Sequence, residues 1–247
     1  MREIIVFEKT DSTNERAAQL GRGGARGGVA IFAERQTAGR GRFGRRWESE
    51  SGLGLWFSLL LRPALPLALW PRLTTATAVA LAHAIEATLP LRCAIKWPND
   101  VQIGDRKVAG ILIETGVDPA GEPFAVVGLG VNVNHEAENF PDELRARATS
   151  LRLAARREVS RPALAVAVLH ALEAWHTRAV DDFPTILAEA TRRSSLLGQW
   201  IAVRAGDTEI AGTAEVLDAD GQLLLRGADG TLQTLRAGEV TVLGGAP

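Results

Sequence analysis

Four arginines fall within seven residues of the segment Gly39-Arg40-Gly41-Arg42-Phe43-Gly44-Arg45-Arg46-Trp47, in a chain whose 28 Lys+Arg and 29 Asp+Glu leave a net charge of -1. The three glycines permit close backbone approach, and guanidinium forks match the paired oxygens of a carboxylate or phosphate. That chemistry is a flexible anion clamp. A solvated Gly/Arg loop is the plainer reading, and the segment alone keeps both open. A second cluster, Lys96-Trp97-Pro98-Asn99-Asp100, sets a lysine after the apolar pair Ala94-Ile95 and before a turn that Pro98 enforces. A compact ammonium there could stabilise a carboxylate attacking an α-phosphate, acting where negative charge grows in the transition state. An exposed strand-edge lysine, with Asn99 and Asp100 as ordinary turn residues, is the alternative.

Two glycine-punctuated runs follow, Lys107-Val108-Ala109-Gly110-Ile111-Leu112-Ile113-Glu114 and Gly128-Leu129-Gly130-Val131-Asn132-Val133-Asn134. Each glycine leaves room beside its strand. A ligand against bare backbone explains Gly110, and so does a bulge or tight packing. The second run lacks the third glycine and following helix of a dinucleotide fingerprint. His83, His135, His170 and His176 have no ligand spacing, so no metal site is assigned. Cys93 is the only cysteine, which excludes an internal disulfide and fits a reducing compartment, with the cytoplasm as the default.

The elements that must position these residues are legible from periodicity. Strands are expected near 29–34, 55–61, 93–97, 107–114 and 124–133. Ser12-Thr13-Asn14-Glu15 has the form of a capping box, so a helix should start at Ser12 and turn Ala17, Ala18 and Leu20 inward. Pro71 opens a second helix to about Leu89, Ser160 and Pro162 a third through Trp175, and a fourth follows Asp181. Beyond Gly198 the pattern shifts to short alternating segments (200–204, 210–217, 222–226, 231–236, 240–243) parted by Gly and Asp turns, which predicts a small antiparallel β-barrel with its own core. The boundary is placed near 195–198, giving domains 1–196 and 197–247.

Composition bounds the function. With 46% hydrophobic residues the chain buries a substantial core, and its near-neutral charge supplies no whole-molecule field for nucleic acid or acidic membrane. The most apolar stretch, Leu53 to Trp70, is broken by Arg62, Pro63 and Pro66, so no membrane span is predicted. An RNA-binding Gly/Arg segment is disfavoured because only Phe43 and Trp47 interleave the arginines.

In the order STNE, GRGRFGRRW, KWPND, KVAGILIE and GLGVNVN, these motifs resemble those of biotin protein ligases, and the β-rich C-terminal part is similar to that family's as well. The resemblance implies a class II synthetase-like α/β catalytic domain, a mixed sheet with helices, followed by an SH3-like domain. It implies biotin, ATP and Mg²⁺ as reactants, biotinyl-5′-AMP as intermediate, and a lysine of a biotin carboxyl carrier domain as acceptor. It further implies that Ser12, Thr13, Asn14 and Gln36 hold the ureido ring, with backbone around Gly110, Ile111 and Leu112. Gly39, Arg40, Gly41 and Arg42 should close over the carboxylate and phosphate, Lys96 should be the catalytic cation beside Arg42, Trp47 should pack near adenine, and Asn132 should be a contact on the nucleotide or the Mg²⁺ side. Ser12 as a helix cap and Trp47 as plain core are the competing roles. An unliganded loop 39–46 is expected to be mobile, its arginines repelling one another. STNE begins at residue 12, so the ligase-only form without a DNA-binding domain is expected; a homodimer is compatible with the sequence. A lipoate or octanoate ligase is the nearest rival, but Arg45-Arg46 is followed by Trp47 and not by its Gly-Gly-Gly run.

Overall fold

The computed structural model describes residues 3–206 and 208–243. A seven-stranded mixed sheet forms the larger part, in the order β1-β2-β3-β7-β6-β5-β4. Its strands are β1 (Glu3–Thr10), β2 (Val29–Gln36), β3 (Gly54–Leu61), β4 (Ala94–Lys96), β5 (Asp100–Ile103), β6 (Arg106–Val117) and β7 (Pro123–Asn132). Only β1 and β2 pair in parallel; the other neighbours are antiparallel. The single strand expected at 93–97 is in fact one arm of a β4–β5 hairpin, because the Pro98 turn folds the chain back on itself. Strand β1 was not expected at all.

Period-two alternation divides the core between the two sheet faces. Ala30, Phe32, Leu55, Phe57, Leu59, Ala125 and Val127 face the larger core. Helices α2 (Arg72–Thr88), α5 (Arg161–Asp181) and α6 (Phe183–Arg193) complete it. Ser160 caps α5 by accepting from Ala163 N, and Asp182 caps α6 by accepting from Thr185 N. Val29, Ile31, Leu60, Phe124 and Val126 face the opposite side, where α1 (Thr13–Arg22) buries Ala17 against them. Ala18 and Leu20 pack there too but stay half-buried. Short helices α3 (Asp142–Arg145) and α4 (Leu151–Ala155) link β7 to α5.

Strands β8 (Trp200–Ala205), β9 (Thr208–Leu217), β10 (Leu223–Arg226), β11 (Leu232–Leu235) and β12 (Glu239–Val242) make an antiparallel sheet ordered β11-β10-β9-β8-β12. The sheet is open, with β11 and β12 at its edges, and it is consistent with an SH3-like unit. The expectation of a separate core does not hold: Ile201, Val203, Leu223, Leu225 and Val240 belong to the same apolar cluster as Ile95 and Trp97. Trp97 Nε1 donates to Gly221 O at 3.1 Å, and Arg72 bonds Asp220 at 2.6 Å.

After β7, His135 is buried between Trp56 and Phe140, with ring centroids at 5.8 and 5.3 Å. Burial lowers its pKa from the usual 6.5 to about 4. An unfolded histidine therefore takes up a proton below about pH 6.5 that the folded one refuses, so stability is lost as pH falls from there toward about 4. Replacing His135 by Phe keeps the stacking and should shrink the stability difference between about pH 7 and about pH 5 by roughly 1–2 kcal/mol. Urea unfolding at the two pH values checks this; equal differences in both proteins would show that the imidazole titrates normally.

Candidate active site

The position of the site follows from β7. Its residues on the α1 side of the sheet run Phe124, Val126, Gly128, Gly130: the first two fill the core, and the next two carry no side chain. Gly128 pairs with Ser58 on β3 and Leu112 on β6, while Gly130 pairs with Gly110. Where the apolar filling stops, a cavity of about 870 Å³ opens. Two side chains take the vacated space. A Cβ on Gly128 would lie 2.0 Å from Asn14 Oδ1, and one on Gly130 would lie 2.5 Å from Trp47 Cε2. Gly110 likewise faces Trp47, at 2.8 Å from Cζ3. The room beside both strand glycines is thus occupied by the Trp47 indole.

At the α1 end the cavity is polar and uncharged. Thr13 N donates to Gln36 Oε1 at 2.8 Å, and Gln36 Nε2 donates to Ser49 Oγ at 2.9 Å. Ser58, fully buried, has its Oγ 2.5 Å from Asn14 Oδ1 and 2.7 Å from Thr13 Oγ1. Asn14 Nδ2 in turn donates to Glu114 Oε2 at 2.7 Å. Ser12 begins α1, yet its side chain makes no cap bond; its backbone N–H instead donates to Asp11 Oδ1 at 2.8 Å. The expected capping box is absent because Glu15 turns outward to Arg22 and Arg40. Ser12 is left on the cavity wall.

The other end is cationic. Lys107 Nζ sits 2.6 Å from Asp100 Oδ1 and 5.1 Å from the Trp47 ring centre. Lys96 is half-buried and, among the described residues, has no carboxylate within ion-pair distance. Burial lowers its pKa from the ordinary lysine value, with Asp100 opposing. Arg42 donates to Asn99 Oδ1 at 2.8 Å and reaches Gly238 O at 3.5 Å. Its pKa too is lowered, chiefly by burial. Asn99 is more than a turn residue: its Nδ2 donates to Ile111 O at 2.9 Å while its own carbonyl accepts from Ile111 N.

The Gly/Arg loop folds back on itself. Gly41 N donates to Arg45 O and Trp47 N to Gly39 O, closing a short hairpin around a 3₁₀ turn at Arg42–Gly44. Mutual repulsion is relieved by carboxylates: Arg40 pairs with Glu114, Arg45 with Glu239 and Arg46 with Glu48. Arg42 is the loop arginine without such a partner among the described residues.

One cavity therefore brings together Ser12, Thr13, Asn14, Gln36, Arg40, Gly41 and Arg42, along with Trp47, Lys96, Gly110, Ile111, Leu112 and Asn132. Gly39 lies outside its wall. A Cβ there would meet Trp47 O at 2.4 Å, so this glycine closes the base of the loop. Trp47 is half-buried, not plain core, and its indole N–H has no partner among the described residues. Asn132 spends its amide N–H on Thr149 O at 3.1 Å. Sequence reading gave no role to Lys107, Ser58 or Arg147, which the fold brings to the cavity or its support.

A family model for the biotin/lipoate A/B protein ligase family matches residues 6–134, and one for the biotin protein ligase C-terminal domain matches residues 196–243. This chain belongs to the biotin/lipoate A/B protein ligase family. It is 35% identical over 92% of its length to the bifunctional ligase/repressor BirA of Bacillus spizizenii, covering 70% of that protein. It is 32% identical over 98% of its length to the biotin–[acetyl-CoA-carboxylase] ligase of Mycobacterium tuberculosis, covering 90% of that protein. Among solved structures, the Aquifex aeolicus biotin protein ligase in complex with biotin and ATP superposes with a TM-score of 0.84 at 29% identity, covering 98% of this chain and 99% of that one.

The two cavity glycines of β7 should respond differently to alanine. Gly128→Ala must push the Asn14 amide off its buried partners and should cost about 1–3 kcal/mol. Gly130→Ala displaces only Trp47, which sits on a loop that can lift, and should cost less than about 1 kcal/mol. Urea unfolding of both variants tests this, and equal losses would mean that Asn14 is held no more firmly than Trp47.

Proposed function

We propose that this protein joins biotin to a specific carrier lysine in two ATP-driven steps. The observation that carries the reading is a single cavity with a neutral hydrogen-bonding end at Thr13, Asn14 and Gln36 and a cationic end at Arg42, Lys96 and Lys107. A ureido ring needs the first, and a carboxylate meeting a triphosphate needs the second. Biotin's carboxylate oxygen attacks the α-phosphorus of ATP, pyrophosphate leaves, and biotinyl-5′-AMP results. The lysine ε-amine then attacks the acyl carbon, expelling AMP and losing a proton.

Physical chemistry distributes the roles. Lys107, beside Gly110, is suited to the carboxylate of a molecule lying along β6, because its Nζ would lie 3.1 Å from a Cβ on that glycine. Lys96 and Arg42 form no ion pair among the described residues, Asp100 and Glu239 acting on them only from a distance, so they are suited to phosphate oxygens, where charge builds during transfer. Trp47, half-buried on the cavity wall, suits packing against adenine. Among the described residues no group of three or more His, Cys, Asp or Glu side chains could hold a metal ion. The Mg²⁺ we assign to the reaction is that of MgATP, with the phosphates supplying most of its ligands.

The acceptor we assign is the biotin carboxyl carrier domain of an acetyl-CoA carboxylase, as the name of the Mycobacterium tuberculosis relative states for that enzyme. Residues 1–196 act as the catalytic unit and 197–247 as the C-terminal unit. No helix among the described residues is long and apolar enough to cross a membrane.

Biotin-dependent ATP–pyrophosphate exchange, with biotin and lipoate offered in parallel, is the deciding experiment. Exchange with lipoate alone would sink the reading. Lys107→Ala and Lys96→Ala should each lower exchange by about a hundredfold or more with the fold intact, the scale expected for losing a group that acts on transition-state charge. Even Lys96→Arg should fail, since a planar fork does not replace a compact ammonium. Arg42→Gly should shorten the residence of biotinyl-AMP more than it slows synthesis. The measurement is adenylate dissociation together with non-specific labelling of a bystander protein. Normal retention by Arg42→Gly would exclude the clamp.

A further inference from the structure

Glu114 does not line the cavity, yet the hydrogen-bond directions along Asn14, Ser58 and Thr13 at its neutral end are traceable to it. Its carboxylate only accepts, so the Asn14 group 2.7 Å from Oε2 is the amide NH₂. The same NH₂ approaches Leu112 O, another acceptor, at 3.5 Å. Asn14 Oδ1 must then point the other way, toward Ser58 Oγ at 2.5 Å, and as an acceptor it takes the single Ser58 proton. Ser58 has none left for Thr13. Their oxygens are nevertheless 2.7 Å apart, a contact between lone pairs unless Thr13 supplies the proton. The alternative acceptor for the Thr13 hydroxyl, Gln36 Oε1, is more distant at 3.1 Å and already takes Thr13 N at 2.8 Å. With its proton committed to Ser58, the Thr13 hydroxyl has only lone pairs to offer the cavity.

We infer that Glu114 is a positioning residue that orients the chain Asn14–Ser58–Thr13 and thereby makes the Thr13 hydroxyl an acceptor for a ureido N–H of biotin. This rests on the biotin reading given above. Two features keep the chain in one orientation. Gly128 gives Asn14 its only space, since a Cβ there would lie 2.0 Å from Oδ1. Arg40 Nη2 sits on the same Glu114 oxygen at 3.1 Å and holds the carboxylate in place. A neutral amide in place of Glu114 has both a donor and an acceptor end and binds Arg40 less firmly than a carboxylate, so chiefly the long contact to Leu112 O at 3.5 Å still opposes a chain running the other way. In the reversed direction Asn14 donates to Ser58, Ser58 donates to Thr13, and Thr13 is free to point its own proton at the cavity. That proton would face a ureido N–H.

The test is a double-mutant cycle on biotin affinity, measured by calorimetry in the full-length protein without ATP. Glu114→Gln, nearly isosteric, should weaken biotin binding by about tenfold, the scale of one misdirected hydrogen bond. Ser58→Ala breaks the chain, so adding Glu114→Gln to it should change affinity by less than about twofold. Should Ser58→Ala not fold, Ser58→Cys fills the same space with a weak donor and serves the same cycle. Unchanged affinity in Glu114→Gln, or an equal tenfold loss with and without Ser58, would overturn the inference while leaving biotin as the ligand. Absence of biotin binding by the unaltered protein would overturn the functional reading and the inference with it.

Discussion

Two successive positions on one face of β7, Gly128 and Gly130, carry no side chain, and the cavity wall is built on what fills their place. A close-packed interior does not leave such space empty without cost, and here an amide and an indole enter it. Each brings a requirement. Asn14 is buried and must satisfy its whole amide, which brings in Ser58 and Glu114. Trp47 must be delivered from outside the sheet, which the Gly39–Trp47 loop does by closing on itself between Gly39 and Trp47. The polar end of the site and the loop above it are thus two answers to one constraint.

The second organising force is the placement of charge. The loop arginines would repel one another if left bare, and most are neutralised by carboxylates from different parts of the fold: α1 and β6 for Arg40, β12 for Arg45. Such half-exposed pairs contribute little to stability, typically ~0–1 kcal/mol each. Their effect is selective. By occupying Arg40, Arg45 and Arg46 they leave Arg42 as the loop arginine with no ion pair among the described residues, hydrogen-bonded to the neutral Asn99 side chain and partly withdrawn from water. An incoming anion meets cations whose field is not already spent.

Legibility in the sequence followed burial pattern. Strands β2, β3, β6 and β7 and helices α1, α2, α5 and α6 were readable because long apolar runs or helical stripes announce buried faces. Strand β1 was not, since as an edge strand it leaves Ile4 and Val6 exposed and its alternation is weak. The binding motifs were readable as local clusters, whereas Lys107, Ser58 and Glu114 matter through register, which no single segment encodes. One signal did exist: Ser58 interrupts the apolar run Leu55 to Leu61, and a lone hydroxyl in a buried strand needs a partner. The capping box misled because its three-residue spacing also suits a serine whose hydroxyl is left for the cavity.

The C-terminal sheet is tied to this arrangement in a way its sequence texture conceals. Its alternating segments read as a self-sufficient module, but Ile201, Val203 and Leu225 complete the cluster that buries Ile95 and Trp97, the residues flanking Lys96. A lysine ammonium held half out of water needs rigid neighbours, because a mobile one would swing to solvent and recover its hydration. Trp97 is fixed through Gly221 O, and Arg42 is reached by Gly238 O. The cavity wall itself continues into Gly238–Val242. Stripping residues 197–247 would uncover apolar surface and release both cations together. The C-terminal sheet thus shares its core with the residues flanking Lys96 and supplies the Gly238 carbonyl that Arg42 reaches.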